Sequence, residues 1–435
     1  MIKELDSILY ELESKGSNKD ELSKLKKKLI PILNQNKDLE IIIKDIVDKI
    51  VFETKKFLNL KNKDDINYNT GFSSSIYLPS FDGSGEIDIL LTGGYGSREK
   101  ENFKITSNTK FDIASITKLF TLILVLKLNE EGIINLNDKI VDIDPNYKGL
   151  EDYTINDLIR MHGILYTDCK ISSAHNSKEA YTILKSVYLK DNSRKKNKYN
   201  DYGAIIVGKI IEKIISEKAG KKRNLDDIMH EYIFNKVGMF ETKFNPIDDN
   251  ISGNGGYNNL VHDPNTQLLD GITGSAGIFT TSRDLNKLAK ALFSVNYNES
   301  GLISKSSLKK LGEITFPRSK QCGKGNLGVY VKNPLGYAKT FTPSIFSTDS
   351  FSHQGWTGAI AYFDPNNFIH FNFLPNAILK EDKKYIIHDK PKGYIDAFID
   401  YSDFIIKHIM IIYIIKKYYN IYKNQDIELK EKIII

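Results

Sequence analysis

The stretch Leu119–Leu126, LFTLILVL, carries one hydroxyl and no other polar side chain. A helix with no polar face has to be covered on every side. The chain must therefore fold around this segment, and at 435 residues it has enough material to do so. The helix is expected to begin near Ser115 and to end at Gly132.

Patterning on either side of this helix differs. Residues 1–57 read as amphipathic helices, with Leu5, Leu9 and Leu12, then Leu22, Leu25 and Leu29, then Ile42, Ile46 and Ile50 on single faces. Their stripes are expected to dock on the chain's own domain, with self-association through terminal helices as the alternative. FSSSIYL and EIDILLTGGY read as strands joined by a turn at Asp82-Gly83-Ser84-Gly85. Residues 133–315 are mostly helical and include NDLIRMHG, the helix Tyr202–Ile215, and SRDLNKLAKALF with Ser282 as N-cap. Strand texture returns in NLGVYV (326–331), GAIAYFD (358–364) and FIHFNF (368–373), before a helix near 394–422. Strands at both ends with helices between them predict an α+β fold, an antiparallel sheet flanked by helices with a helical domain inserted between its strands. The expected units are a helical extension (1–57), a sheet domain (58–132 and 316–425) and a helical insertion (133–315).

Composition excludes several classes. Cys169 and Cys322 are the only cysteines and have no metal-ligand spacing, so neither a structural zinc nor any other metal or cofactor is expected. The net charge of +6 comes from lysines spread along the chain, and the densest run, Arg194-Lys195-Lys196, accompanies no nucleic-acid-reading motif. The N-terminus MIKELDSILYELES lacks the apolar core of an export signal, so a cytoplasmic location is expected. Ile409–Ile415 falls well short of the ~20 apolar residues a spanning helix needs.

Ser115 stands three residues before Lys118, at the head of the apolar helix. An alcohol needs a neighbour to take its proton before it can act as a nucleophile, and positions i and i+3 share a helix face. Burial disfavours the charged form of an amine, so Lys118 is expected to be neutral enough to serve as that base. The spacing alone is uninformative, since it recurs at Ser23, Ser97, Ser107, Ser193, Ser306 and Ser307. The buried helix behind Ser115 singles it out. Tyr199, Asn200 and Asp201 stand before the helix that starts at Tyr202, where they either face a shared cleft or cap and pack that helix. His353-Gln354-Gly355-Trp356 opens an apolar strand. Glycine there lets a substrate approach the strand edge, and the N–H groups of Ser115 and Trp356 are candidate oxyanion donors. His262-Asp263 is read as holding a loop by hydrogen bonds.

The order S-x-x-K, Y-x-N-like, H-x-G resembles the serine β-lactamase/penicillin-binding-protein superfamily in its class C-like branch, which also holds esterases and D-amino-acid-specific peptidases. TINDLIRMHG (154–163), GKIIEKI (208–214), VHDPNTQLLDGITGSAGIFTTSRDL (261–285) and GAIAYFDP (358–365) extend the likeness over roughly residues 40–400. The resemblance implies that Ser115 is acylated, that Lys118 and Tyr199 share the proton transfer, that His353 lines the cleft, and that Ser115 and Trp356 supply the oxyanion hole. The reaction would be two-step acyl transfer on a small-molecule or peptide substrate. HQG in place of KTG, and Asp201 in place of Asn, depart from the pattern. The first favours an esterase or peptidase over a β-lactamase, with an ester, amide or peptide carbonyl as substrate, and the second removes the amide donor that contacts a substrate amide in the family. A β-lactamase or D-alanyl-D-alanine carboxypeptidase is the alternative, and a catalytically weak assembly protein a third reading.

Overall fold

The period-two alternation of the strand segments decides how the sheet is covered. In Ile360–Asp364, Ile360 and Tyr362 join one apolar cluster while Ala361 and Phe363 join the other. In Ile369–Pro375, Ile369, Phe371 and Phe373 take the first side, and Leu374 the second. A strand apolar on both faces lies in a sheet covered on both sides. The structure, a computed structural model, describes residues 2–35, 39–57, 71–79, 86–94, 104–190, 197–247, 250–252, 261–294, 301–313, 323–331, 345–375, 379–381, 384–386, 404–415 and 433–434, with a few single positions between them. The expected turn at 82–85, the basic run 194–196 and Cys322 lie outside the described residues.

The large sheet has the strand order Ile433–Ile434, Glu86–Gly94, Gly71–Pro79, Ile369–Pro375, Ile360–Asp364, Phe351–Gln354, Tyr330–Val331, Gly323–Lys324. All neighbours are antiparallel except the first pair. The fold is α+β. One face is covered by helices from both ends of the chain: Leu5, Ile8, Leu12, Leu22, Leu25 and Leu29 pack in one cluster with Ile405–Ile415 and the strand residues Phe72, Ile76 and Phe371. The apolar stripes of the terminal helices are thus covered within the chain, as the docking expectation has it.

The other face meets Ser282–Phe293, which packs on Gly71–Pro79 and Ile369–Pro375. Ser75 Oγ donates to the Ser282 carbonyl at 2.8 Å, and Ser282 Oγ lies 2.7 Å from Ser73 Oγ. This helix falls inside the stretch assigned to the insertion but belongs to the sheet by contact. We propose the three-unit division with that helix moved to the sheet unit. Its N-cap is Thr281, whose side chain accepts from the Asp284 N–H, and Ser282 is the first helical residue. NLGVYV is likewise only partly strand: Asn326–Gly328 is a 3-10 turn with Leu327 at φ 48° and Gly328 at φ 78°, and pairing starts at Tyr330. A left-handed pair cannot continue a pleated strand.

The apolar helix runs Thr117–Glu130 and is preceded by a 3-10 turn, Ala114–Ile116. Every residue from Thr117 to Leu126 is buried. Tyr202–Ala219 packs against it, and the segment around Gly274 threads between the two. A Cβ at Gly274 would lie 2.2 Å from the Ala204 carbonyl oxygen, so only glycine permits this approach. Thr121 Oγ1 donates to the Gly274 carbonyl at 2.8 Å. The one hydroxyl of the apolar run is thereby satisfied in the core.

Candidate active site

The strand Lys110–Asp112 leads into the 3-10 turn through Ala114, whose φ of 44° is a left-handed conformation costly for a residue with a Cβ. That bend puts Ser115 at the head of the buried helix. Between Thr109 and Leu126, Ser115 is the one residue that is not buried. The hydroxyl therefore sits where a buried element breaks the surface.

Lys118 lies beneath it. Its Nζ donates to Ser115 Oγ at 3.0 Å and to the Ser275 carbonyl at 3.0 Å, and forms an ion pair with Asp201 Oδ1 at 2.8 Å. The Tyr199 ring is also close, its centroid 5.2 Å from Nζ. Burial pushes the Lys118 amine down, but the Asp201 carboxylate first and then Tyr199 push it up, and the net is a lysine held above its usual value. This corrects the expectation of a neutral lysine: burial is real, but the counter-ion outweighs it. Lys118 stands as a cation beside the serine.

The helix entry explains why Asp201 is free to do this. Asp201 occupies the N-cap position of Tyr202–Ala219 without making a side-chain cap bond. Asn200 Oδ1 accepts the Gly203 N–H at 3.1 Å instead. The capping task falls to the neighbour, and the Asp201 carboxylate turns to Lys118. Of the two readings of this helix entry, capping by Asp201 is not what the structure shows: its carboxylate pairs with Lys118. Tyr199 is backed by Gly328, where an added Cβ would lie 2.3 Å from the ring.

The third wall is the end of the strand Phe351–Gln354. A Cβ on Gly355 would stand 2.5 Å from the Ile113 carbonyl oxygen, which brings this turn against the segment before Ser115. Thr357 Oγ1 donates to the Asp112 carbonyl at 2.9 Å. Among the described residues, neither the Ser115 nor the Trp356 backbone N–H has an acceptor. The Trp356 side chain is partly exposed. His353 differs from expectation. It is 1% exposed, with Nδ1 3.0 Å from the Gln354 carbonyl oxygen and Nε2 3.3 Å from that of Leu327. Strand alternation points this ring inward, behind the Leu327–Gly328 turn that supports Tyr199, and it offers a substrate no surface.

Sequence reasoning missed Asp112. Its Oδ2 accepts from the His262 backbone N–H at 2.7 Å and stands 2.8 Å from His262 Nδ1, while Oδ1 accepts from the Ala114 N–H at 2.8 Å. Both side chains are buried. One carboxylate thus ties the strained residue before Ser115 to the 261–263 segment, and its own carbonyl holds the Thr357 turn. A lone acid inside the apolar run Phe111–Ala114 was the available signal. Asp263, next along, caps Pro264–Leu268 through the Thr266 N–H. Burial and then the Asp201 carboxylate push Asp263 up, so the two acids share one neighbourhood. Among the described residues, no cluster of three His, Cys, Asp or Glu side chains has metal-binding geometry, and no helix is long and apolar enough to cross a membrane.

An antiparallel sheet covered by helices on both faces, with a serine, a buried lysine and a tyrosine meeting at the head of a buried helix, defines the serine β-lactamase/penicillin-binding-protein superfamily. The sequence profile of the Beta-lactamase family matches residues 83–384, more than half of the chain, and the chain belongs to that family. It is a hydrolase of the β-lactamase type. A putative D-alanyl-D-alanine carboxypeptidase of Escherichia coli is 24% identical over 316 residues, covering 63% of this chain and 70% of the relative. One from Salmonella gallinarum is 25% identical over 379 residues, covering 76% and 84%. Among solved structures, a class C beta-lactamase superposes with a TM-score of 0.60 at 16% identity, covering 86% of this chain and 98% of that one. The D-amino acid amidase of Ochrobactrum anthropi does so at 0.59 and 18% identity, covering 85% and 98%.

Proposed function

We propose that the protein hydrolyses an ester, amide or peptide carbonyl by two-step acyl transfer through Ser115. The observation that carries this reading is the contact of the surface-breaking Ser115 hydroxyl with the Lys118 ammonium at 3.0 Å. A cation that donates to Oγ cannot take the hydroxyl proton. Tyr199 is then the proton acceptor, acting as the phenolate beside the Lys118 ammonium: Ser115 Oγ attacks the carbonyl as its proton moves to the phenolate oxygen, which leaves a neutral tyrosine. The tetrahedral oxyanion is held by the N–H groups of Ser115 and Trp356, and the leaving group departs with the Tyr199 proton. Water repeats the sequence on the acyl-enzyme. Positioned proton transfer of this kind is worth about 10²–10⁴-fold, and loss of one oxyanion donor about 10²–10³-fold. Lys118 supplies positive charge to whichever neighbour gives up its proton, and Asp201 orients it, much as a buried acid orients the base of a catalytic triad. Gly355 keeps the turn against Ile113, and His353 positions Tyr199 from behind.

The names of the curated relatives favour a second reading, D-alanyl-D-alanine carboxypeptidase. Against it stands the inward-facing His353, which is turned onto the Leu327 carbonyl and not toward a substrate carboxylate. A side-by-side assay of p-nitrophenyl acetate, nitrocefin and a D-alanyl-D-alanine peptide separates the two. Ester turnover that vanishes in Ser115→Ala, with nitrocefin and the peptide slow, is the expected outcome. Peptide turnover that outpaces the ester favours the carboxypeptidase instead, and nitrocefin turnover that does so favours a β-lactamase.

A further inference from the structure

The ion pair at the site is lopsided. Lys118 is buried, with a side-chain exposure of 1%, while Asp201 is 40% exposed. The ammonium already donates to Ser115 Oγ, the Ser275 carbonyl and Asp201 Oδ1, so its three N–H groups have acceptors and none is left for a substrate anion. The carboxylate faces outward. It is released from helix capping by Asn200, and it pairs through Oδ1 with the same ammonium that donates to Ser115 Oγ. Asp263 lies in the same neighbourhood, but burial and then the Asp201 charge push it up toward the uncharged acid, so Asp201 is the carboxylate that counts there. His353, the residue that could have met a carboxylate, is turned inward onto two backbone carbonyls. Of the ion pair beside Ser115, the exposed member is therefore the Asp201 carboxylate.

We propose, resting on the hydrolase reading above, that Asp201 selects acyl donors bearing a protonated amine beside the scissile carbonyl: aminoacyl esters, aminoacyl amides and peptides with a free N-terminus. Such an ammonium can share Asp201 with Lys118, as one carboxylate offers about four acceptor sites. A substrate carboxylate at the same place meets like charge, and specificity is set by that repulsion as much as by the attraction.

The test compares alanyl p-nitroanilide with its N-acetyl counterpart, after fluorophosphonate labelling of Ser115 has established that the protein is an active hydrolase. The wild type should favour the free amine about tenfold or more in kcat/KM. The ratio should shrink as salt screens a half-exposed charge, and again as pH rises past the amine's own value of about 8. In Asp201→Asn the ratio should fall toward one, whatever happens to the absolute rate. A ratio near one in the wild type, a ratio unmoved by salt and pH, or an equal ratio in the two proteins overturns the proposal. Labelling of Ser115 with turnover of neither anilide also overturns it, and leaves the hydrolase reading standing. Absence of labelling fails the hydrolase reading itself.

Discussion

Replacing Asp112 by alanine strips the acceptor from three donors at once: the His262 N–H, His262 Nδ1 and the Ala114 N–H, at 2.7, 2.8 and 2.8 Å. The side chain is 1% exposed, so water does not substitute. A buried donor left unpaired costs about 1–3 kcal/mol. With two backbone N–H groups and one ring nitrogen affected, Asp112→Ala should lose about 3–9 kcal/mol, a large share of the ~5–15 kcal/mol a folded domain commands. Asp112→Asn keeps the shape but turns an amide NH₂ toward at least one N–H donor, and should lose about 1–3 kcal/mol. Ala114, at φ 44°, then has less to hold it in its strained conformation. Ser115 shifts with it, and a displacement on the order of 1 Å slows chemistry about 10²-fold. Urea unfolding of both variants, together with the second-order rate of fluorophosphonate labelling of natively folded Asp112→Asn, reads the two effects separately. Asp112→Ala within about 1 kcal/mol of wild type, or Asp112→Asn labelling at the parental rate, refutes the clamp.

Other variants probe the remaining contacts. In Asp201→Asn, Lys118 loses the partner that holds it above its usual value. The wild-type pair stabilises the fold fully below the ordinary lysine value and loses that contribution only as pH rises through the raised one. Melting temperature should be lower in the variant at pH 8, where the wild-type pair contributes fully, and the two curves should draw together as pH rises past about 10.4, where the wild type begins to lose a contribution the variant never had; superimposable curves throughout would count against the ion pair. Burial pushes His370 down to about 3, with Nδ1 2.8 Å from the Tyr362 carbonyl oxygen and Nε2 accepting from Asn372 Nδ2 at 3.1 Å. Its folded value lies below its unfolded one, so its contribution is complete above about pH 6.5 and fades as pH falls, by up to about 1.4 kcal/mol per pH unit. His370→Gln should flatten the stability profile between pH 6.5 and 5 relative to wild type, and parallel profiles would contradict this. Gly328→Ala adds a Cβ 2.3 Å from the Tyr199 ring at a residue with φ 78°. Displaced Tyr199 should slow acylation about 10²-fold, measured as the burst rate with an activated ester. An unchanged burst would remove Gly328 from the account.

Much of this architecture is legible before any coordinates. The alternation in GAIAYFD and FIHFNF separates two buried faces, and the polar-free run after Ser115 demands a central helix. Ser115 and Lys118 stand out because they head the polar-free helix, and Tyr199 joins them through the resemblance of the S-x-x-K, Y-x-N-like, H-x-G order to the family. What escapes the sequence depends on direction. Whether Asp201 caps its helix or turns to Lys118 is decided by Asn200 taking the Gly203 N–H, and the charge state of Lys118 follows from that choice. His353 reads as a cleft residue until the register of Phe351–Gln354, opposite Ile360–Phe363, sets which side chains face inward. Asp112 is hidden for a different reason: its partner His262 lies 150 residues away, and no local pattern announces the pair. NLGVYV reads as strand because propensity does not register the left-handed Leu327.

The central claim is that Ser115 accepts an acyl group. Incubation with a fluorophosphonate, followed by intact-mass and peptide-level mass spectrometry of the wild type and of Ser115→Ala, tests it directly. One adduct per chain on the peptide containing Ser115, absent from Ser115→Ala, is the predicted result. No adduct on the folded wild type, or equal labelling of the alanine variant, would contradict it.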